Sequence, residues 1–226
     1  MPLLGKAAVA MWWDIAHERR SEFEDWHSHE HFPERMRIPG FLRGSRWASA
    51  SDAEGFFVMY ELEGYETLTS PHYLARLNDP TPWSVKMMPH HRNMVRSQCR
   101  AVASYGGGLA GSLMTLRLSP QPGQADALQR HLRDVLDKAP SQPGITGGHL
   151  LRTETPDAPV TKEQTIRGGA DAVADWIVLV SGYDAQALAG LAQGELGAAA
   201  LAAHGAEPAQ IGSLYRLSYA LTGDDL

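Results

Sequence analysis

Ile38-Pro39-Gly40-Phe41 and Gln142-Pro143-Gly144-Ile145 are two versions of one turn, and their prolines lie 104 residues apart. A second pair of markers follows in the same order: Leu62-Glu63-Gly64-Tyr65 and Val180-Ser181-Gly182-Tyr183, with glycines 118 residues apart. Two markers repeated in order identify a duplicated unit. The growth in spacing places an insertion in the second copy. Thr153–Ala172, with Pro156, Pro159, Gly168 and Gly169 and no clear period, reads as that insertion and as a loop.

Each copy has the same element order. Lys6–Ile15 and Ser112–Leu118 are β-rich, and Ser21–Met36 and Gln124–Lys138 have helical spacing. Ser21 and Glu24 match a capping box at the first helix, in which each side chain satisfies a free backbone N–H. The Pro-Gly pairs stop both helices. Phe41–Ala50 and Ile145–Thr153 read as second strands, Gly55–Leu62 and Asp175–Ser181 as third strands, and Asn93–Ser104 and Ile211–Leu221 as fourth strands. Leu188–Ala203, rich in Ala and Gly, reads as one tightly packed helix. The expected fold class is α+β: two tandem ferredoxin-like βαββαβ repeats, residues 1–105 and 112–226, with a glycine-rich linker at 106–111. An open sheet face must be covered, and two such units packed sheet to sheet would cover both.

The layout resembles the dimeric α+β barrel superfamily, which includes EthD-like proteins, antibiotic-biosynthesis-type monooxygenases and stress-responsive barrel proteins. Trp26-His27-Ser28-His29-Glu30-His31-Phe32-Pro33-Glu34-Arg35, then Pro39-Gly40-Phe41 and Arg46-Trp47, are similar to the His-bearing first helix and Pro-Gly turn of EthD-like sequences. Tyr73-Leu74-Ala75-Arg76-Leu77-Asn78-Asp79-Pro80-Thr81-Pro82-Trp83 resembles the second-helix region of a bacterial subgroup with this tandem layout. The resemblance implies an intramolecular version of the dimeric barrel and a ligand cleft between helix and sheet. It does not choose a reaction, because the superfamily hosts lyases, cyclases, monooxygenases and haem enzymes.

Bulk properties narrow the classes. The 226 residues carry a formal net charge of −6, which argues against a nucleic-acid partner. The lone Cys99 excludes an internal disulfide and a Cys-based zinc site, and only Arg100 stands near it to favour a thiolate, so no nucleophile is assigned. No apolar run approaches the ~18 residues of a membrane span, so cytoplasm is the expected location. The expected partner is a small-molecule ligand, and the chain is expected as a monomer or a homodimer. Of the 10 histidines, 7 precede residue 110, which places the chemistry in the first repeat.

At 100° per residue His27, Glu30 and Glu34 border the apolar stripe of the first helix, and His29 faces water. His31 is the expected acid/base, since an imidazole titrating near pH ~6.5 both takes and gives protons. His27 and Glu30 are expected to assist. His131 stands 104 residues after His27, which makes a shared structural contact the competing reading for His27. Strand alternation puts Phe41, Arg43, Ser45 and Trp47 on one face and Leu42, Gly44 and Arg46 on the other. The expected substrate-binding wall is Trp26, Phe32, Arg46, Trp47, Tyr73, Asn78, Trp83 and His90. A buried Arg would suit a carboxylate, phenolate or enolate; the alternative for these arginines is an ion pair with Glu61 or Asp14. A divalent metal at the His-x-x-x-His spacing, with Glu34, His90 or His91 as third ligand, and haem near His90 are the lesser alternatives. No cofactor is the main expectation. The function expected is a cofactor-independent enzyme, of lyase, dehydratase, isomerase or cyclase type, using His acid/base chemistry on an apolar cyclic or aromatic carbonyl compound. The alternatives are a non-catalytic ligand-binding protein and a haem or metal protein.

Overall fold

The structure is a computed structural model and describes residues 3–51, 53–156, 159–169 and 171–226. The chain is α+β. The strands are β1 (Ala7–Asp14), β2 (Phe41–Ser49), β3 (Gly55–Leu62), β4 (Arg92–Gly106), β5 (Ser112–Leu118), β6 (Ile145–Thr153), β7 (Trp176–Gly182) and β8 (Ile211–Thr222). The helices are α1 (Arg20–Trp26), α2 (Phe32–Met36), α3 (Pro71–Leu77), α4 (Pro82–Met87), α5 (Ala125–Lys138), α6 (Lys162–Ile166), α7 (Ala185–Gln193) and α8 (Ala198–Ala203).

Two compact units are present, and they are not contiguous halves. The first holds Leu4–Arg100, Glu154–Val173 and Ser218–Leu226. The second holds Ala101–Thr153 and Ala174–Leu217. The inserted segment therefore folds with the first unit, although it follows β6. The 105/112 boundaries read from the repeat describe sequence duplication, whereas β4 runs on to Gly106 and belongs to both units.

Within the first unit the strand order is β2-β3-β1-β4 and within the second β8-β5-β7-β6, with antiparallel pairing of β1 to β3 and β4, and of β5 to β7 and β8. The duplication extends to fine detail. The ladder slips by one residue between Phe41 and Arg43 on β2, and between Ile145 and Gly147 on β6. Gly40 and Gly144 both take positive φ, 90° and 88°, in the turn that leads into these bulges. A Cβ on Gly44 would sit 2.3 Å from the Phe32 ring, and one on Gly148 would sit 2.9 Å from Leu136. Each first helix thus presses a large side chain onto a bare strand backbone.

The first unit's core lies between helices and sheet. Val9, Met11 and Trp13 of β1 and Phe56, Val58 and Tyr60 of β3 meet Phe23, Trp26, Phe32 and Met36. Ala8, Ala10 and Phe57, on the other face of the sheet, are buried as well. In the second unit Leu128, Leu132, Val135 and Leu136 of α5 pack on Leu116, Val178 and Val180. Cys99 is buried, as expected for a small core residue.

Five local expectations need correction. Ser21 and Glu24 form no capping box: the chain enters α1 through a 3₁₀ turn at His17–Arg19, so Arg19 is the N-cap and Ser21 is already helical. The first helix is also not continuous. A π-helical segment, His27–His31, separates α1 from α2, with the Phe32 N–H bonded to the His27 carbonyl. Pro33, next in the chain, has no N–H to restore the α pattern. The β2 bulge moves Phe41 onto the face of Gly44 and Arg46, because one extra residue reverses the alternation. The insertion is not all loop, since it contains α6, capped by Thr161 and Gln164 in a reciprocal capping box. Leu188–Ala203 is two helices, parted at Gly194–Gly197, where Gly194 has a backbone conformation outside the helical region.

Candidate active site

A cavity of about 40 Å³ opens between the first helix and the sheet of the first unit. A water fills ~10–15 Å³ on this measure, so the space holds a few waters or a small polar group. Its wall includes His27 and His31 from the π segment, Trp26 from α1, Trp13 from β1, Tyr60 from β3 and His91. The π segment matters here, since it opens one turn of the helix and sets two imidazoles on the inner side. The His27 and His31 rings stack 5.3 Å apart at 20°, His27 also stacks on Phe23, and His31 lies 4.6 Å from the Trp26 ring.

Four buried polar atoms of residues lining this cavity have no hydrogen-bond partner among the described residues: Trp13 Nε1, His27 Nδ1, His31 Nδ1 and Tyr60 OH. All four residues are buried, His31 the most open at 9%. An unpaired buried polar group costs about 1–3 kcal/mol, and native structures contain few. Here four belong to residues that line one cavity.

The titrating groups share one tendency. Burial holds His27 and His31 far below the ordinary imidazole range, and the Arg46 charge, for His27, and Arg35, for His31, push the same way. Desolvation takes His91 down to about 3. Its Nδ1 lies 3.0 Å from the Met88 carbonyl, so in the neutral ring Nδ1–H donates there and Nε2 keeps the lone pair. Burial also raises Tyr60, which stays a phenol and a donor. The cavity therefore presents neutral imidazoles, a phenol O–H and an indole N–H.

Its fixed charges are Arg35, Arg96, Arg167 and Glu163. Arg35 (3% exposed) is ion-paired with Glu163 (4% exposed). Burial opposes the Arg35 charge, but Glu163 overrides that and raises its pKa. Arg167 pairs with Asp171 at 2.8 Å. Arg96 donates to Tyr73 OH at 2.7 Å.

The expected site residues divide. Trp26, His27, His31 and Tyr73 line the cavity together. Glu30 does not: its carboxylate accepts from Thr81 at 2.5 Å, at the N-cap of α4. Glu34 is the carboxylate beside His31, with 4.0 Å between Oε2 and Nδ1. Phe32 sits over Gly44 and against Tyr60 and Tyr219, away from the cavity wall. Arg46 donates to the Glu24 carbonyl and to Ser218, closing off the helix–sheet seam. Trp47 is on the opposite face of β2 from Gly44, where its Nε1 donates to Ser45. Asn78 ties α3 to the backbone of Lys162. Trp83 is half-buried against the core, and His90, half-buried in the turn after α4, is not on the cavity wall. Of the arginines on β2, Arg43 has its ion pair with Glu61 at 2.6 Å, as the alternative reading held. His131 is no counterpart of His27: it stacks on His204 and bonds to the Glu195 carbonyl at the surface.

The residues around His90 do not fit haem, because His90 is not on the cavity wall and the cavity is far smaller than a porphyrin. Among the described residues no group of three or more His, Cys, Asp or Glu is arranged to hold a metal ion. No described helix is long and apolar enough to cross a membrane.

The residues missed in the sequence are Arg35, Tyr60, Glu163 and Arg167. Arg35 stood within the His-rich stretch as one more helical charge. Only its helical position, four residues after His31, marked it as facing the same side. Glu163 and Arg167 had one local sign, the Thr161/Gln164 capping pattern ahead of them.

No protein-family model matches the chain, and no curated protein matches it. Solved structures do. An anthrone oxidase-like protein is 11% identical over 100% of this chain and 98% of its own, with a TM-score of 0.65. A candidate monooxygenase of Fusobacterium nucleatum is 5% identical over 97% and 95%, with a TM-score of 0.62. A candidate chlorite dismutase is 12% identical over 96% of each chain, with a TM-score of 0.55. At these identities the likeness is one of fold, the ferredoxin-like α+β barrel fold with both repeats in one chain.

Proposed function

We propose that the chain is a cofactor-independent enzyme that moves a proton on a small carbonyl compound, with His31 as the acid/base. The observation that carries this reading is that four unpartnered polar atoms belong to residues lining one cavity. Two are donors whatever the pH, Trp13 N–H and Tyr60 O–H. Two belong to neutral imidazoles that can accept.

The electrostatics select the step. Burial and the Arg35 charge strongly disfavour a His31 imidazolium, even with the Glu34 carboxylate 4.0 Å from Nδ1. It becomes tolerable when the negative charge it creates stays in the same cavity. Proton abstraction from a carbon next to a carbonyl does this. The C–H bond breaks, the proton goes to His31, and the electron pair moves onto the carbonyl oxygen as an enolate. Tyr60 and Trp13 are placed to donate to that oxygen. Return of the proton, to the same carbon or another, completes an exchange or an isomerisation. His27 lies against His31 and helps keep it neutral at rest. The name of the anthrone oxidase-like neighbour is in keeping with a substrate acidified by a ring ketone.

The test is deuterium wash-in at the α carbons of cyclopentanone and acetophenone in D₂O, followed by proton NMR. The expected result is exchange above buffer with the intact protein, falling by ~10²–10⁴ in His31→Ala. Equal exchange in His31→Ala overturns the assignment. Saturable binding of the ketones without exchange points instead to a binding protein.

A further inference from the structure

Beside the inner cavity lies a second chamber of about 90 Å³, beneath the inserted segment. Its apolar side is Leu68, Leu74, Pro156 and Pro159. Leu77, Arg96 and Arg167 line both spaces, so they form the partition between them. Both chambers lie wholly within the first unit.

One guanidinium at this partition stands apart from the others. Arg35 pairs with Glu163 and Glu34, and Arg167 pairs with Glu163 and, through two bonds, Nε to Oδ1 and Nη2 to Oδ2, with Asp171. Arg96 has no carboxylate partner among the described residues; its one side-chain bond goes to the phenol of Tyr73. Its backbone is fixed, with the Arg96 N–H bonded to the Ala172 carbonyl where the insertion runs beside β4 at Val95. A guanidinium with no carboxylate partner among the described residues therefore stands at the junction of the two chambers, the outer one lined by Leu68, Leu74 and two prolines on one side and by Gln98, Thr161 and Gln164 on the other. A guanidinium in such a place is a fork for a carboxylate.

We propose that the substrate is a small carbonyl-bearing monocarboxylate. Its carboxylate sits on Arg96, its carbonyl reaches the inner cavity toward Tyr60 and Trp13, and its apolar end lies against Leu68, Leu74 and the two prolines. The assignment rests on the proton-transfer reading for the role of the inner cavity, and it narrows the substrate class. One guanidinium without a carboxylate partner calls for a single negative charge. The repeat alone did not supply this site, because the partition needs the insertion.

The experiment compares phenylpyruvate with phenylacetone, which carries a methyl group where phenylpyruvate carries its carboxylate. Calorimetric titration of the intact protein is expected to give phenylpyruvate about tenfold or more tighter binding than phenylacetone. Arg96→Gln is expected to erase that difference by weakening phenylpyruvate alone. Arg96→Lys, which keeps the charge but not the fork, is expected to restore part of it. Thermal melts of both variants identify any loss that comes from unfolding, and the unchanged phenylacetone affinity serves as an internal check. Equal affinity for the two probes, no phenylpyruvate binding at millimolar concentration, or an Arg96→Gln protein that still prefers phenylpyruvate overturns the proposal. The two readings separate cleanly. Arg96-dependent binding without deuterium exchange keeps the substrate class and removes the proton-transfer step. Exchange that is catalysed equally on neutral ketones keeps the step and removes the substrate class.

Discussion

The two first helices of the repeats start from the same plan and end with opposite interiors. Both press a side chain onto a strand glycine, Phe32 on Gly44 and Leu136 on Gly148. Both lead into a Pro-Gly turn and a bulged strand. Yet α5 is an unbroken helix of 14 residues whose buried side chains are all aliphatic. Its counterpart is interrupted by the π segment and turns His27, His31 and Arg35 inward. Opposite Gly44, β3 offers Tyr60, where opposite Gly148 β7 offers Val180. The difference teaches that duplication left one copy free to give up a dry core. The second copy keeps an aliphatic helix face, and the first places two imidazoles and a guanidinium in the equivalent position.

The sharpest way to break this contrast is at the buried ion pair. Arg35→Met leaves Glu163 only its 3.8 Å contact with Arg167, and Glu163→Leu leaves Arg35 only its 3.5 Å contact with Glu34; each is expected to cost about 3 kcal/mol of unfolding free energy in urea melts. The double variant is expected to recover most of that loss. Additive losses in the double variant would show that the pair does not act as a unit. The second copy answers to a different rule. Leu136→Ala removes a fully buried aliphatic chain and is expected to cost about 2–5 kcal/mol through the cavity it leaves, in the same melts.

The fold was legible in the sequence because turns and strand periods repeat along the chain. Pro39-Gly40 against Pro143-Gly144 is a local signal, and the bulges and helix stops follow from it. The imidazoles were legible for a related reason: helical spacing alone turns His27 and His31 toward the core. What stayed hidden depends on distance along the chain. Arg35 takes its meaning from Glu163, 128 residues away, in a stretch whose prolines and glycines read as loop. Glu30 looked like the carboxylate for His31, but the π segment breaks the 100° rotation on which that assignment rested, and Thr81 claims Glu30 instead. A single bulge, in the same way, reversed the alternation on β2.

Acid pH tests the two inward histidines. Both bind a proton more weakly in the folded chain than in the unfolded one, first because of burial. Below about pH 6.5 the unfolded state therefore takes up protons that the folded state does not, and stability falls as pH falls. Well above that pH both states are neutral, and this contribution is constant and fully present. Each such histidine is expected to add about 1.4 kcal/mol per pH unit to the slope in the acid range. Urea melts between pH 7.5 and 5 read it directly, and His27→Gln is expected to remove one proton's worth. A slope unchanged by that substitution would mean His27 is charged in the folded protein.

The smallest expected change in stability carries the most information about function. His31→Leu gives the first copy the aliphatic pattern of the second at a position where Nδ1 has no protein partner. If His31 were a structural residue, its loss would cost the protein whatever that ring holds together. If it is kept for chemistry, an apolar side chain of similar size satisfies the site better than an unpaired imidazole does. The variant is then expected to be as stable as the original at neutral pH, or more stable by about 1 kcal/mol, while its deuterium exchange falls to the level of His31→Ala. A loss of more than about 2 kcal/mol with exchange intact would reverse the argument. The cavity would then be a packing solution peculiar to the first copy, and the contrast between the two helices would be one of architecture alone.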